Sequence, residues 1–80
     1  MNAEEIRAAV KRAISTTANM ETAQIGDDAS YKDDLQLDSL TILEIAVGLE
    51  YEFQIKIPDE QLSEIRSVGD TVRLIQQHLA

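Results

Sequence analysis

Apolar positions recur at helical spacing in three stretches of this chain, and a shorter fourth stretch follows its only proline. In the first, Ile6, Ala9, Val10, Ala13 and Ile14 form one stripe, the pattern of an amphipathic helix. Asn2 is placed to cap it, Glu4 and Glu5 suit the positive end of its dipole, and Ser15-Thr16-Thr17 weakens it. The helix is expected to end near Thr17. The second stretch predicts a helix over Ser39–Phe53 with Asp38 as its cap. At about 100° per residue, Ile42, Ile45, Ala46, Leu49 and Phe53 share a narrow face. Leu40, Leu43, Val47 and Tyr51 fall on another face, and Glu44, Glu50 and Glu52 lie between.

Residues 18–37 carry no period. Gly26-Asp27-Asp28 marks a turn, and Met20, Ile25, Tyr31, Leu35 and Leu37 are scattered apolar anchors. A loop this long is unusual in a compact domain unless function explains it. Gln54-Ile55-Lys56-Ile57 is extended or turning, because a residue before proline avoids helix. Pro58-Asp59-Glu60 starts a short helix expected to run through Ile65, with Leu62 and Ile65 on its apolar side. Ser67-Val68-Gly69-Asp70 resembles a capping box with Asp in place of Glu. It opens a last helix in which Val68, Val72, Ile75 and Leu79 share a face. Strand-like alternation, internal repeats and low-complexity tracts are absent.

Eighty residues make one domain, near the small end of what folds unaided. The residues are 44% hydrophobic but only 4% aromatic, so the core is built from Ile, Leu, Val and Ala. No apolar run approaches the roughly 20 residues of a membrane span. Met1 to Arg12 is too charged for a signal peptide, so a cytoplasmic location is expected. The net charge is −8, and it is concentrated. Residues 27–64 hold eleven acids against Lys32 and Lys56, whereas the flanks are near neutral. Such a middle repels nucleic acid and anionic membranes and steers toward basic patches on other proteins.

Catalysis finds little support. A serine nucleophile needs a base in hydrogen-bond reach, and the only histidine, His78, ends the last helix, where a cation suits the dipole. Without cysteine there is no disulfide, thiolate metal site or thiol nucleophile. Asp27, Asp28, Asp33, Asp34 and Asp38 fail the EF-hand spacing and read as a solvated acidic loop. Gly26, Gly48 and Gly69 are isolated, so no phosphate-cradling motif exists. The expectation is no catalytic residue, no metal and no enzyme.

Two features are left unexplained. One is Ser39, a hydroxyl at a helix start beside an acid, where an esterified phosphate would face free backbone N–H groups. The other is the second apolar face, which either covers helix ends and the loop or meets a partner. An apolar strip bordered by acids favours the partner.

Asp38-Ser39-Leu40, Glu44, Leu49-Glu50-Tyr51-Glu52-Phe53 and Ile57-Pro58-Asp59-Glu60 together resemble an acyl carrier protein. Tyr31, Asp34, Leu35, Val68 and Asp70 fit the same pattern. The resemblance covers nearly the whole chain and implies an all-α four-helix bundle with a short third helix and a long loop between helices 1 and 2. It implies that Ser39 accepts 4′-phosphopantetheine from coenzyme A through a phosphopantetheinyl transferase. The arm's thiol would carry acyl groups as thioesters for acyl-transferring and acyl-modifying enzymes with basic docking patches. Leu40, Leu43 and Val47 would be the apolar docking contacts, and Asp38, Glu44 and Glu50 would meet basic residues. Ile42, Ala46, Leu49 and Phe53 would shelter a saturated chain, and the carrier would act as a monomer. A peptidyl or aminoacyl carrier is the nearest alternative, and an unmodified acidic adaptor using helix 2 is one of a different class.

Three departures from the family pattern stand out. Gln36 replaces the usual Gly two residues before Asp38. Thr41 replaces a commonly acidic residue. Gln54 and Lys56 replace residues that are often acidic, and Tyr51 adds an aromatic to the docking stripe. These point away from the housekeeping fatty-acid carrier and toward a polyketide, lipid-modifying or other specialised pathway.

Overall fold

The computed structural model describes residues 1–79. Four helices follow in order: α1 (Ala3–Ala18), α2 (Ser39–Phe53), the single turn α3 (Asp59–Leu62) and α4 (Val68–Leu79). Among the described residues there is no strand, only one antiparallel bridge between Ser30 and Ser67. The fold is the all-α, four-helix arrangement expected, with a short third helix and a long first connection.

Helix α1 begins at a reciprocal capping box. Asn2 Oδ1 accepts from the Glu5 amide at 2.8 Å, and Glu5 Oε1 accepts from the Asn2 amide at 3.1 Å. The helix runs one residue past Thr17 and stops where Asn19 turns left-handed, at φ 56°. Ile6, Ala9, Val10 and Ile14 are buried, and α1 packs along both α2 and α4.

The long connection is tied down rather than loose. It holds a 3-10 turn at Thr22–Gln24, and Ile25, Ala29 and Tyr31 are buried in the core. Its end is stitched to the start of α4. The Tyr31 amide donates to Arg66 O at 2.9 Å and the Val68 amide to Ala29 O at 3.0 Å. Asp28 Oδ1 accepts from Ser67 Oγ and from the Gly69 amide, each at 3.1 Å. A connection this long persists because its backbone polar groups and apolar side chains are committed to the fold.

Two expectations need correction. α3 ends at Leu62 rather than Ile65. The Glu64 amide bonds Gln61 O and the Ile65 amide bonds Leu62 O, so the chain tightens into i→i+3 turns and leaves the helix. Ile65 is still buried. In α4, Leu79 is 43% exposed in the terminal turn, while Thr71 and Leu74 join Val68, Val72 and Ile75 inside. The capping box is half realised: Ser67 Oγ accepts from the Asp70 amide at 3.1 Å, but Asp70 reaches the Arg66 amide instead of that of Ser67.

Thr71 is the one buried polar side chain among the described residues. Its Oγ1 donates to Ser67 O at 2.9 Å, so the Tyr31 hydroxyl must be the donor in the bond between the two side chains. Burial pushes the Tyr31 phenol up to about 12.

Candidate functional site

The approach to Ser39 is a compact turn. The amides of Asp34 and Leu35 donate to Ser30 O at 3.1 and 3.0 Å, and the Leu37 amide donates to Tyr31 O at 2.8 Å. Asp34 Oδ2 returns a bond from the Ser30 amide at 2.8 Å. Closing this turn places Gln36 at φ 56°. Glycine adopts that conformation without steric cost, whereas a side chain is strained there. The shape of the turn therefore accounts for the glycine that the carrier resemblance leads one to expect at this position.

Asp38 then caps α2, its Oδ1 accepting from the Thr41 amide at 2.8 Å. That bond above all, with the Thr41 hydroxyl and Leu40 amide adding, holds the Asp38 carboxyl below the usual carboxylate range. A negative charge therefore sits beside Ser39 at neutral pH. Ser39 is the first helical residue and is exposed, and its hydroxyl has no hydrogen-bond partner among the described residues. His78 hydrogen-bonds Gln61 Oε1 at 2.9 Å, not Ser39.

Ser39 borders a groove of about 560 Å³. One wall is Ile42, Leu43 and Ala46 of α2; the others are Ser30–Asp33 and Leu62, Ser63, Ile65 and Arg66. Of the residues expected to shelter a chain, the structure puts Ile42 and Ala46 on this groove. Leu49 is fully buried elsewhere in the core, and Phe53 packs against that core.

The second apolar face of α2 points outward. Leu40 is 65% exposed, Leu43 45%, Val47 53% and Tyr51 88%. Glu44 is exposed beside them and makes no ion pair among the described residues. Glu50 is different. Its Oε2 accepts from the Ile57 amide at 2.7 Å and so secures the segment after α2. The loop acids also have separate tasks. Asp27 pairs with Lys11 at 2.6 Å and Asp28 holds the α4 terminus, and no cluster of three metal-ligating groups forms among the described residues.

Residues 8–75 match the family described as the phosphopantetheine attachment site. This chain belongs to the phosphopantetheine-binding acyl carrier protein family. The meromycolate extension acyl carrier protein of Mycobacterium leprae is 43% identical over 74 residues, 92% of this chain and 64% of that protein. Its counterpart in Mycolicibacterium smegmatis is 42% identical over 74 residues, 92% of this chain and 75% of the other. The acyl carrier protein of Exiguobacterium sibiricum is 40% identical over 76 residues, 95% of this chain and 96% of the other. The chain thus spans less than two thirds of the mycobacterial relative but nearly all of the last.

Members of this family are carriers rather than enzymes, and their prosthetic group is covalently attached phosphopantetheine. The residues around Ser39 fit such a group. An exposed hydroxyl with no internal partner opens on an apolar-walled groove, at a helix terminus that favours an esterified phosphate. Sequence reasoning missed the commitment of Glu50 to Ile57 and the presence of Lys32 and Arg66 on the groove. No local signal marks either, since both depend on chain segments brought together by folding.

Proposed function

We propose that Ser39 is the attachment residue for 4′-phosphopantetheine and that the chain carries acyl groups to acyl-transferring and acyl-modifying enzymes. The bound arm supplies the thiol that a chain without cysteine lacks, and holds the cargo as a thioester. The observation that carries this reading is the unpartnered Ser39 hydroxyl at the start of α2, on the edge of an apolar groove. Ile42, Leu43, Ala46, Leu62 and Ile65 would shield an apolar cargo from water.

Docking falls to the outward face of α2. Leu40, Leu43 and Val47 form the apolar strip, with Asp38 and Glu44 as the charges open to basic partners. Glu50 contributes through the oxygen not bound to Ile57. Such acids raise the encounter rate more than the final affinity, so docking weakens with salt. The phosphopantetheine-attachment match over 8–75 supports a carrier over an unmodified adaptor, and the acyl carrier relatives with the acidic middle support an acyl over an aminoacyl carrier. The mycobacterial relatives are named for meromycolate extension, which favours extension of a fatty acyl chain as the pathway class. Thr41, where family members commonly carry an acid, favours a specialised pathway as the second reading. The proposed location is the cytoplasm.

The deciding experiment incubates apo-protein with coenzyme A and a broad-specificity phosphopantetheinyl transferase, then takes an intact mass. A gain of one phosphopantetheine is expected, and none in Ser39→Ala. A gain that persists in Ser39→Ala, or none in the wild type, would defeat the assignment. Identifying the acyl group on protein isolated from its own cells separates fatty-acid extension from a specialised pathway.

A further inference from the structure

The chain has seven cations. Four are in ion pairs: Arg7 with Glu4, Lys11 with Asp27, Arg12 with Glu52, and Arg73 with Asp70. Among the described residues the other three, Lys32, Lys56 and Arg66, make none. Two of these three, Lys32 and Arg66, border the same groove as Ser39. They come from distant parts of the chain and are brought together by the Ser30–Ser67 bridge and the bond from the Tyr31 amide to Arg66 O. Both side chains are exposed. Asp33 also borders the groove, yet it pairs with neither cation. In a region this rich in carboxylates, two cations without an ion pair among the described residues line the groove that Ser39 borders.

We infer that Lys32 and Arg66 clamp the phosphodiester of the arm attached at Ser39 and hold the start of the arm down in the groove. This rests on the carrier reading above. A phosphodiester carries one negative charge and offers two unesterified oxygens, which suit the planar fork of Arg and the point charge of Lys. The helix N-terminus already favours that charge, but Asp38 opposes it, so cations lining the same groove complete the balance. Lys32 and Arg66 are positioning residues: they touch the tether and not the thiol. Because both are exposed, the clamp is weak and sensitive to salt. The anion is the tether itself rather than a carboxylate on a cargo, so the clamp operates before any acyl group is loaded.

The test uses unacylated, phosphopantetheine-loaded protein, with loading confirmed by intact mass. Wild type, the double variant Lys32→Gln/Arg66→Gln and the control Lys56→Gln are compared by NMR. On loading, the Arg66 side-chain N–H resonance is expected to move while those of Arg12 and Arg73 stay. Nuclear Overhauser contacts between the arm and the Ile42 and Leu62 methyls should fall roughly threefold or more between 20 mM and 500 mM salt, as screening shortens. They should fall similarly in the double variant at low salt and be unchanged in Lys56→Gln. Contacts of equal strength in the double variant, an unmoved Arg66 resonance or insensitivity to salt would each overturn the clamp while leaving the carrier reading intact. No mass gain in the wild type would defeat both. If the double variant does not melt cooperatively, Lys32→Gln alone and the salt series of the wild type decide the matter.

Discussion

Helices α2 and α4 face the same partner, α1, and use their apolar residues differently. α4 is one-sided: Val68, Val72, Leu74 and Ile75 are buried, and its solvent side is polar apart from Leu79 at the end. α2 buries Ile45, Ala46 and Leu49 and then shows Leu40, Leu43, Val47 and Tyr51 to solvent. Their N-termini differ as well. The α4 terminus is enclosed by Asp28, Ser67 and Ala29, whereas that of α2 has only Asp38 and leaves Ser39 open. One stripe is enough to hold a helix in a small core. The second stripe of α2 and its open terminus are therefore surplus to the core and, on the proposed carrier reading, serve docking and attachment, whereas the closed terminus of α4 serves stability.

The contrast can be broken most forcefully inside the core. Leu49→Ala and Ile75→Ala should each cost about 2–5 kcal/mol in denaturant unfolding, whereas Leu43→Ala and Val47→Ala should cost under about 0.5 kcal/mol. The latter pair should instead slow loading by the transferase. Losses at Leu43 matching those at Leu49 would make the second stripe part of the core.

The buried Tyr31–Thr71 pair sharpens the α4 side through pH. The Tyr31 phenol is raised from 10.0 to about 12 in the fold, so the unfolded chain releases its proton first. Stability should be intact below pH 10 and fall by on the order of 2 kcal/mol between pH 10 and 12. Tyr31→Phe should flatten that slope in urea melts. An unchanged slope would show that the phenol is not the group responsible.

Two glycines compare the helices directly. A Cβ at Gly69 would lie 2.2 Å from Asp28 Oδ1, so Gly69→Ala should force the loop off the α4 terminus and cost about 1–3 kcal/mol. Added to Asp28→Ala, the same change should cost much less, because the clash has gone. At Gly48, in the middle of α2, nothing beyond the helix's own adjacent backbone and chain neighbours lies within 4 Å of the added atom. Gly48→Ala should raise stability by about 0.5–1 kcal/mol, through backbone entropy alone. The smallest effect lies at the turn before Ser39. Gln36→Gly relieves the left-handed strain but adds unfolded-state freedom, for a net gain of up to about 1 kcal/mol in thermal melts.

Much of this was legible because its causes are local. The bounds of α2, its Asp38 cap and the split of its apolar residues into two faces follow from spacing along one helix. The Asn2 cap and the first stripe follow in the same way. The place of Ser39 at the start of α2 was legible in the same way, and its reading as an attachment point, from a hydroxyl with no base and no cysteine nearby, stands as the proposal above. The end of α3 was not legible, because Leu62 and Ile65 fit a longer helix equally well and hydrogen bonds to Gln61 and Leu62 decided otherwise. The exposure of Leu79 and the burial of Thr71 were hidden because a helical wheel does not say how far the packing partner extends.

The sequence by itself determined the number and order of the helices, the Asn2 and Asp38 caps, the surplus stripe and the position of the serine, since each depends on residues within a few positions of one another. Only the tertiary structure decided what the long connection does. It seats Tyr31 on Thr71, closes Asp28 over Gly69, draws Glu50 to the Ile57 amide and brings Lys32 and Arg66 to the groove of Ser39. Those pairings join residues far apart in the chain, and no local periodicity encodes which distant groups meet once the core has closed.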